Sequence, residues 1–213
     1  MGAFYPDPDI SLEDFFQSFV PERFVEERGA ELLPPGPLPW LYVEVDGAGW
    51  SYTVRGGELV TEPGPQGAPI ATVRLTEEDW RDGVSGALAG GYEPTEADRE
   101  RLRRRAKLTR DMVRRVEALR GRLRFVVRHF AGRDWTLELV LGPEAEAAKT
   151  ATLSIGAMDC EAILGGRKDP IRAWTSGEVD VEGAEALAVQ LLTIFLPEIA
   201  GLKPKRKGLF GKR

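Results

Sequence analysis

Cysteine and histidine are nearly missing from this sequence: its 213 residues include one of each, Cys160 and His129. A lone cysteine cannot close an internal disulfide, which fits a reducing compartment, and the chain is read as cytoplasmic. One histidine and one cysteine leave no cluster for a zinc finger, a histidine-rich metal site or a dithiol redox pair. No apolar run approaches the ~20 residues of a membrane span, and the first 20 residues carry acids where a signal peptide carries bases. His129 has no nucleophile or orienting acid that the sequence can place beside it, so a structural role is expected. Cys160, next to Glu161, reads as a small buried hydrophobe. No cofactor and no catalytic residue is expected, and the chain is read as a non-enzyme.

With 42% hydrophobic and 30% charged residues, the composition is that of a folded protein. The net charge of −5 conceals an uneven distribution. Residues 95–124 hold 12 basic and 5 acidic side chains, and residues 202–213 hold 6 basic and none acidic. The rest carries 11 basic against 29 acidic. The Arg-rich stretch reads first as a solvated face paired to the acidic body, then as a surface for anionic lipid or an acidic partner. No nucleic-acid motif accompanies it, so nucleic acid is not an expected partner. In the tail, Lys205, Arg206 and Lys207 beside Leu209 and Phe210 form a candidate for transient docking to an anionic membrane, each base worth about 1 kcal/mol near such a surface.

Local patterns predict the elements. Leu12, Phe15, Phe16, Phe19 and Val20 recur at the helical period behind a Ser11 cap, with Pro21 placed to kink the helix or begin another. Residues 33–39, rich in proline, read as an extended connector. Strands are expected at 40–45, 50–55, 58–61 and 70–75, separated by Asp46-Gly47 and Gly56-Gly57 turns. Thr76-Glu-Glu-Asp79 caps a helix to about residue 88. A single helix, about 40 Å long, is expected from Thr95 to about Arg122. Strands at 124–130, 135–141 and 150–155 follow, then helices at 157–164 and 170–174, a strand at 178–181 and an apolar helix at 184–196.

Two stretches resemble each other. Ala71-Thr-Val-Arg-Leu-Thr-Glu-Glu-Asp79 with Gly86 lies 80 positions before Ala151-Thr-Leu-Ser-Ile-Gly-Ala-Met-Asp159 with Gly166. Upstream, Leu41 to Trp50 parallels Val126 to Trp135 at an offset of 85. An internal repeat is expected, with a short unit used twice.

The second copy, from Thr152 to Gly183, resembles the sterol carrier protein type 2 family. Gly166, Lys168, Asp169, Pro170, Ala173, Gly177 and Gly183 stand at that family's turn, cap and strand-end positions. The match is best over 150–196; a degenerate first copy covers 40–89 and lacks the Asp-Pro portion. No catalytic residue defines the family. The resemblance implies an α+β fold, a sterol-carrier-like twisted sheet covered by helices, with two half-units in one compact body. It also implies an apolar cavity for a fatty acyl chain, a sterol-like molecule or another lipid.

The expected organisation is an N-terminal helix plus degenerate half (1–94), an Arg-rich connecting helix (95–122), a second half (123–201) and a basic tail (202–213). Trp135, Leu137 and Leu153 are expected on one wall of the cavity, and Leu187, Leu191, Leu192 and Phe195 of the last helix on the other. Ile163, Ile171 and Trp174 complete the candidate set, with Trp174 as its preferred reporter. Trp50 and Trp135 are also expected to fill cores. The alternative is a ligand-free scaffold for protein–protein contact or dimerisation, or an accessory subunit of an enzyme.

Overall fold

The computed structural model describes residues 4–195. Its centre is one mixed eight-stranded sheet: β1 (Leu41–Val45), β2 (Ala48–Arg55), β3 (Glu58–Pro63), β4 (Ala71–Leu75), β5 (Gly121–Phe130), β6 (Arg133–Leu141), β7 (Thr150–Gly156) and β8 (Asp180–Gly183). In space they run β3-β2-β1-β4-β6-β5-β7-β8. The chain is thus α+β, as the alternating and helical periods imply.

Each half uses the same pairing scheme. β1 is antiparallel to β2 and parallel to β4; β5 is antiparallel to β6 and parallel to β7. A helix follows the parallel strand in both, α3 (Glu77–Val84) after β4 and α6 (Ala157–Leu164) after β7. The two triplets meet where β4 pairs antiparallel with β6, Ala71 opposite Leu141 and Arg74 opposite Glu138. Registers differ by two residues. Trp50 faces Val43, which faces Val73, whereas Trp135 faces Val127, which faces Ile155, the counterpart of Leu75 at the 80-residue offset. An even shift keeps every side chain on its own face.

The two faces differ in chemistry. One carries Val45, Trp50, Tyr52, Ala71, Leu123, Val127, Trp135, Leu141, Ala151 and Leu153, all buried. The other carries charges of alternating sign. Glu44, Arg74 and Glu138 stand in line on β1, β4 and β6, with Arg74 3.6 Å from Glu44 and 3.3 Å from Glu138. Arg122 reaches Glu138 at 3.2 Å and also pairs with Glu144. Helices cover the apolar face.

The N-terminal segment, α1 (Leu12–Asp14), a π-turn (Phe15–Phe19) and α2 (Val20–Glu26), seats Phe16 on Trp50 with ring centroids 4.5 Å apart. Such stacking adds about 0.5–1.5 kcal/mol to the area buried. The Ser11 hydroxyl accepts the Asp14 N–H at 3.0 Å, and Pro21, early in α2, has no N–H to donate back into the π-turn, whose Phe16 carbonyl accepts the Tyr52 hydroxyl at 2.9 Å instead. α7 (Pro170–Ser176) and α8 (Glu185–Phe195) close the other half.

The Arg-rich stretch corrects an expectation. It is not one helix but two, α4 (Glu96–Ala106) and α5 (Arg110–Glu117), with β5 already begun at Gly121. Lys107 is extended, Leu108 donates its N–H to the Leu32 carbonyl at 2.7 Å, and the Thr109 hydroxyl caps α5 through the Met112 N–H at 3.1 Å. The break separates two kinds of packing. α4 has no apolar face, its Leu102 is exposed, and ion pairs hold it to α2: Glu27 is 2.9 Å from Arg99 and 3.5 Å from Arg103. α5 turns Val113 and Val116 toward the sheet and α8, and Leu119, just beyond its end, packs on the same core. Arg110 also donates to the carbonyls of Pro35 and Pro37 in the connector, where the prolines supply acceptors but no donors.

Gly183, where β8 hands over to α8, has φ +81°, and a Cβ there would lie 2.4 Å from the Thr150 carbonyl oxygen. Gly183→Ala is therefore expected to cost about 2–4 kcal/mol, combining left-handed strain with a backbone clash. Gly132, at φ +90° with open space around it, serves as control, and Gly132→Ala should cost about 1 kcal/mol. Urea midpoints of the two variants measure the difference.

Candidate functional site

A gap in the helical cover over β5, β6 and β7 forms an apolar cavity of about 530 Å³. Period-2 alternation brings Phe125 and Val127 of β5, Trp135 and Leu137 of β6, and Leu153 and Ile155 of β7 to its floor. Cys160, Ile163 and Leu164, at helical spacing on α6, form one side. Pro170 and Trp174 of α7, Val179, Leu192 of α8 and Leu88 complete it. No lining residue carries a charge, and burial raises the Cys160 thiol above its ordinary pKa, so it too is neutral.

A second apolar cavity, of about 360 Å³, lies across α8 under the first half of the sheet. Leu41, Tyr52, Val54 and Ile70 meet Leu108, Met112 and Val116 there. Its polar groups are already occupied: the Tyr52 hydroxyl donates to the Phe16 carbonyl at 2.9 Å and the Thr53 hydroxyl to the Leu38 carbonyl at 2.7 Å. A charged cleft of about 580 Å³ between α2 and α4 is lined by the arginines and glutamates that pair there. Among the described residues no group of three or more His, Cys, Asp or Glu could hold a metal ion. Nor is any described helix long and apolar enough to cross a membrane.

The larger cavity has a rigid edge. Arg133 pairs with Asp79, Asp82 and, at 2.9 Å, Glu78, tying α3 to β6. Asp79, 3% exposed, also accepts the Thr136 hydroxyl at 3.1 Å, while its carbonyl accepts the Trp135 indole N–H at 2.6 Å. The Glu77-Glu78-Asp79 cluster is thus both a cap and a clamp on the wall tryptophan. Lys168 bridges Asp159 at 2.6 Å and Glu178 at 2.9 Å, and Asp169 caps α7 through the N–H groups of Ile171 and Arg172. Gly166 and Gly177 adopt left-handed conformations. The residues that carry the family resemblance therefore shape turns, caps and an ion-pair bridge.

Of the sequence candidates, the cavity brings together Trp135, Leu137, Leu153, Ile163 and Trp174, with Leu192 opposite. The last helix does not form a single wall. It presents Leu192 to the larger cavity and Leu191 and Phe195 to the smaller one, because Leu191 and Phe195, four apart, share a face while the adjacent Leu192 is turned about 100° around a helix that sits between the two cavities. Leu187 lines neither; it packs in the core with Leu123 and Ala151. Ile171 lines neither cavity. Phe125, Val127, Ile155, Cys160 and Leu164 were missed, although alternation from Leu123 and Leu153 and the i, i+3, i+4 spacing of 160, 163 and 164 mark them. The docking candidates Lys205, Arg206, Lys207, Leu209 and Phe210 lie outside the described residues.

Comparison with family models, curated proteins and solved structures finds no match to this chain.

Because Cys160 faces an apolar space and its thiol is harder to ionise than usual, its alkylation by iodoacetamide at pH 8 should be at least about tenfold slower than that of a cysteine peptide. The rate should rise to the peptide's in urea. Mass spectrometry of the alkylated fraction reads both.

Proposed function

We propose that this chain binds an apolar small molecule, a fatty acyl chain, a sterol-like molecule or another lipid, in the cavity between β5–β7 and helices α6–α8, without catalysing a reaction on it. The observation that carries the reading is a cavity of about 530 Å³ with no charged lining residue, within the range of about 300–1,000 Å³ usual for small-molecule sites. A hydrocarbon seated there would make dispersion contacts along the whole lining. The resemblance of residues 152–183 to the sterol carrier protein type 2 family agrees with this use. So does the shared pairing scheme of the two halves, which we read as an internal duplication whose copies have diverged in cavity size. The reading also takes the protein as cytoplasmic and the basic tail as a transient contact with anionic membrane.

The test is extraction of the purified chain followed by mass spectrometry, together with titration of an uncharged environment-sensitive dye. Bound lipid and saturable dye binding are expected. Ile163→Trp, which fills the larger cavity, should weaken dye binding about tenfold, whereas Met112→Trp in the smaller one should leave it unchanged. No co-purifying lipid and no saturable binding would sink the proposal and leave a ligand-free scaffold.

A further inference from the structure

We infer that the surface made by α4, the loop after it and α5 docks on a bilayer of anionic lipid. The inference adds a surface of the folded chain to the tail contact proposed above, and it needs neither that tail nor a bound ligand.

Exposed bases outnumber the acids left to answer them there. Most acids of the two helices are engaged within their own helix: Asp98 pairs with Arg101, Glu96 and Glu100 with Arg103 at 2.9 Å, and Asp111 with Arg114 at 3.4 Å. Arg99 and Arg103 also tie α4 to Glu27 of α2. Arg104, Lys107 and Arg115 are exposed, and among the described residues none of the three has an ion-pair partner. Against them stands one exposed acid of these helices without a pair, Glu117. Arg104 is turned about 100° around α4 from Arg103, away from the pairs that hold the helix down.

Apolar surface beside the bases favours a bilayer over an acidic protein or a nucleic acid. Lys107 directly precedes Leu108 and Arg115 directly precedes Val116, and both of those residues line the smaller cavity with Met112 and Phe195. Phe195 lines that cavity and is still 45% exposed, so an apolar edge reaches solvent next to the bases. An anionic bilayer supplies phosphate and hydrocarbon in one surface, and long basic side chains can meet the first while apolar groups enter the second. The chain also leaves α8 at this place. Lys203 lies eight positions after Phe195, at most about 29 Å of backbone, so the six bases of residues 202–213 begin within reach of the same surface.

Flotation of the full chain with vesicles of phosphatidylcholine holding about one-third phosphatidylglycerol, at about 0.1 M salt, tests the inference. The chain should float with these vesicles and not with phosphatidylcholine alone, and about 0.5 M salt should release it. Lys107→Gln with Arg115→Gln should weaken binding about twentyfold, about fivefold for each base. Arg124→Gln with Arg172→Gln removes the same charge from the far face of β5 and from α7, and should weaken binding less than about twofold. All four side chains are exposed, so the variants should keep the fold, which circular dichroism checks. A third variant, Lys205→Gln with Arg206→Gln and Lys207→Gln, separates the two contacts. Loss in that variant with none in Lys107→Gln/Arg115→Gln would overturn the inference and keep the tail contact; the reverse would keep the inference and overturn the tail contact. Absence of binding to the anionic vesicles would overturn both. Equal weakening by the Arg124/Arg172 pair, or capture of a DNA duplex or polyglutamate in place of vesicles, would also overturn the inference.

Discussion

The apolar half of this protein depends on a sheet whose large apolar side chains and helical cover share one side. Glu44, Arg74, Glu138 and Arg122 form a charged band across β1, β4, β6 and β5, and burying that band under a helical layer would strip several charges of water at once. The large apolar strand side chains are therefore gathered on the opposite face. Eight strands at about 4.8 Å spacing make that face roughly 34 Å wide, while a helix with its side chains is about 10 Å across. The cover must be assembled from several helices, and the spaces beside α8 are the places where they do not meet. The cavities follow from that geometry.

Polar contacts hold the cover in position. Arg133 and the acids of α3 fasten one side of the larger cavity, Lys168 joins the start of α6 to the end of the loop after α7, and Arg110 grips the proline connector beside the smaller one. Each acts at the rim of an apolar region, where a paired charge keeps partial contact with water and avoids the full cost of burial. The interior of the larger cavity is left without a charge, and the proposed ligand chemistry follows from this division: apolar substance inside, ion pairs outside.

Much of this was legible locally. Ser11, Thr76 and Asp169 were readable as caps because a cap needs only its own next few residues. The strands were readable because Trp, Tyr and Val alternate with polar residues, and Trp135, Leu137 and Leu153 were readable as one face for the same reason. The Arg-rich stretch was misread as one helix because its period is continuous. What ends α4 is the Leu32 carbonyl, 76 positions away from Leu108 in sequence, which no period can reveal. Leu187, Leu191 and Phe195 were misplaced for a related cause: an all-round apolar helix does not say which side faces a core and which a gap.

The sequence by itself determined the α+β class, the absence of any cysteine or histidine cluster, and which side chains share a face, since these follow from composition and from periods of 2 and 3.6 residues. The tertiary structure alone decided that β4 and β6 join two similar triplets into one sheet, that α8 stands between two cavities of unequal size, and that of two cavity tryptophans Trp135 is paired and Trp174 is not. These depend on where distant segments meet. A tryptophan's fate is set by whether a carbonyl such as that of Asp79, 56 positions earlier, comes within reach.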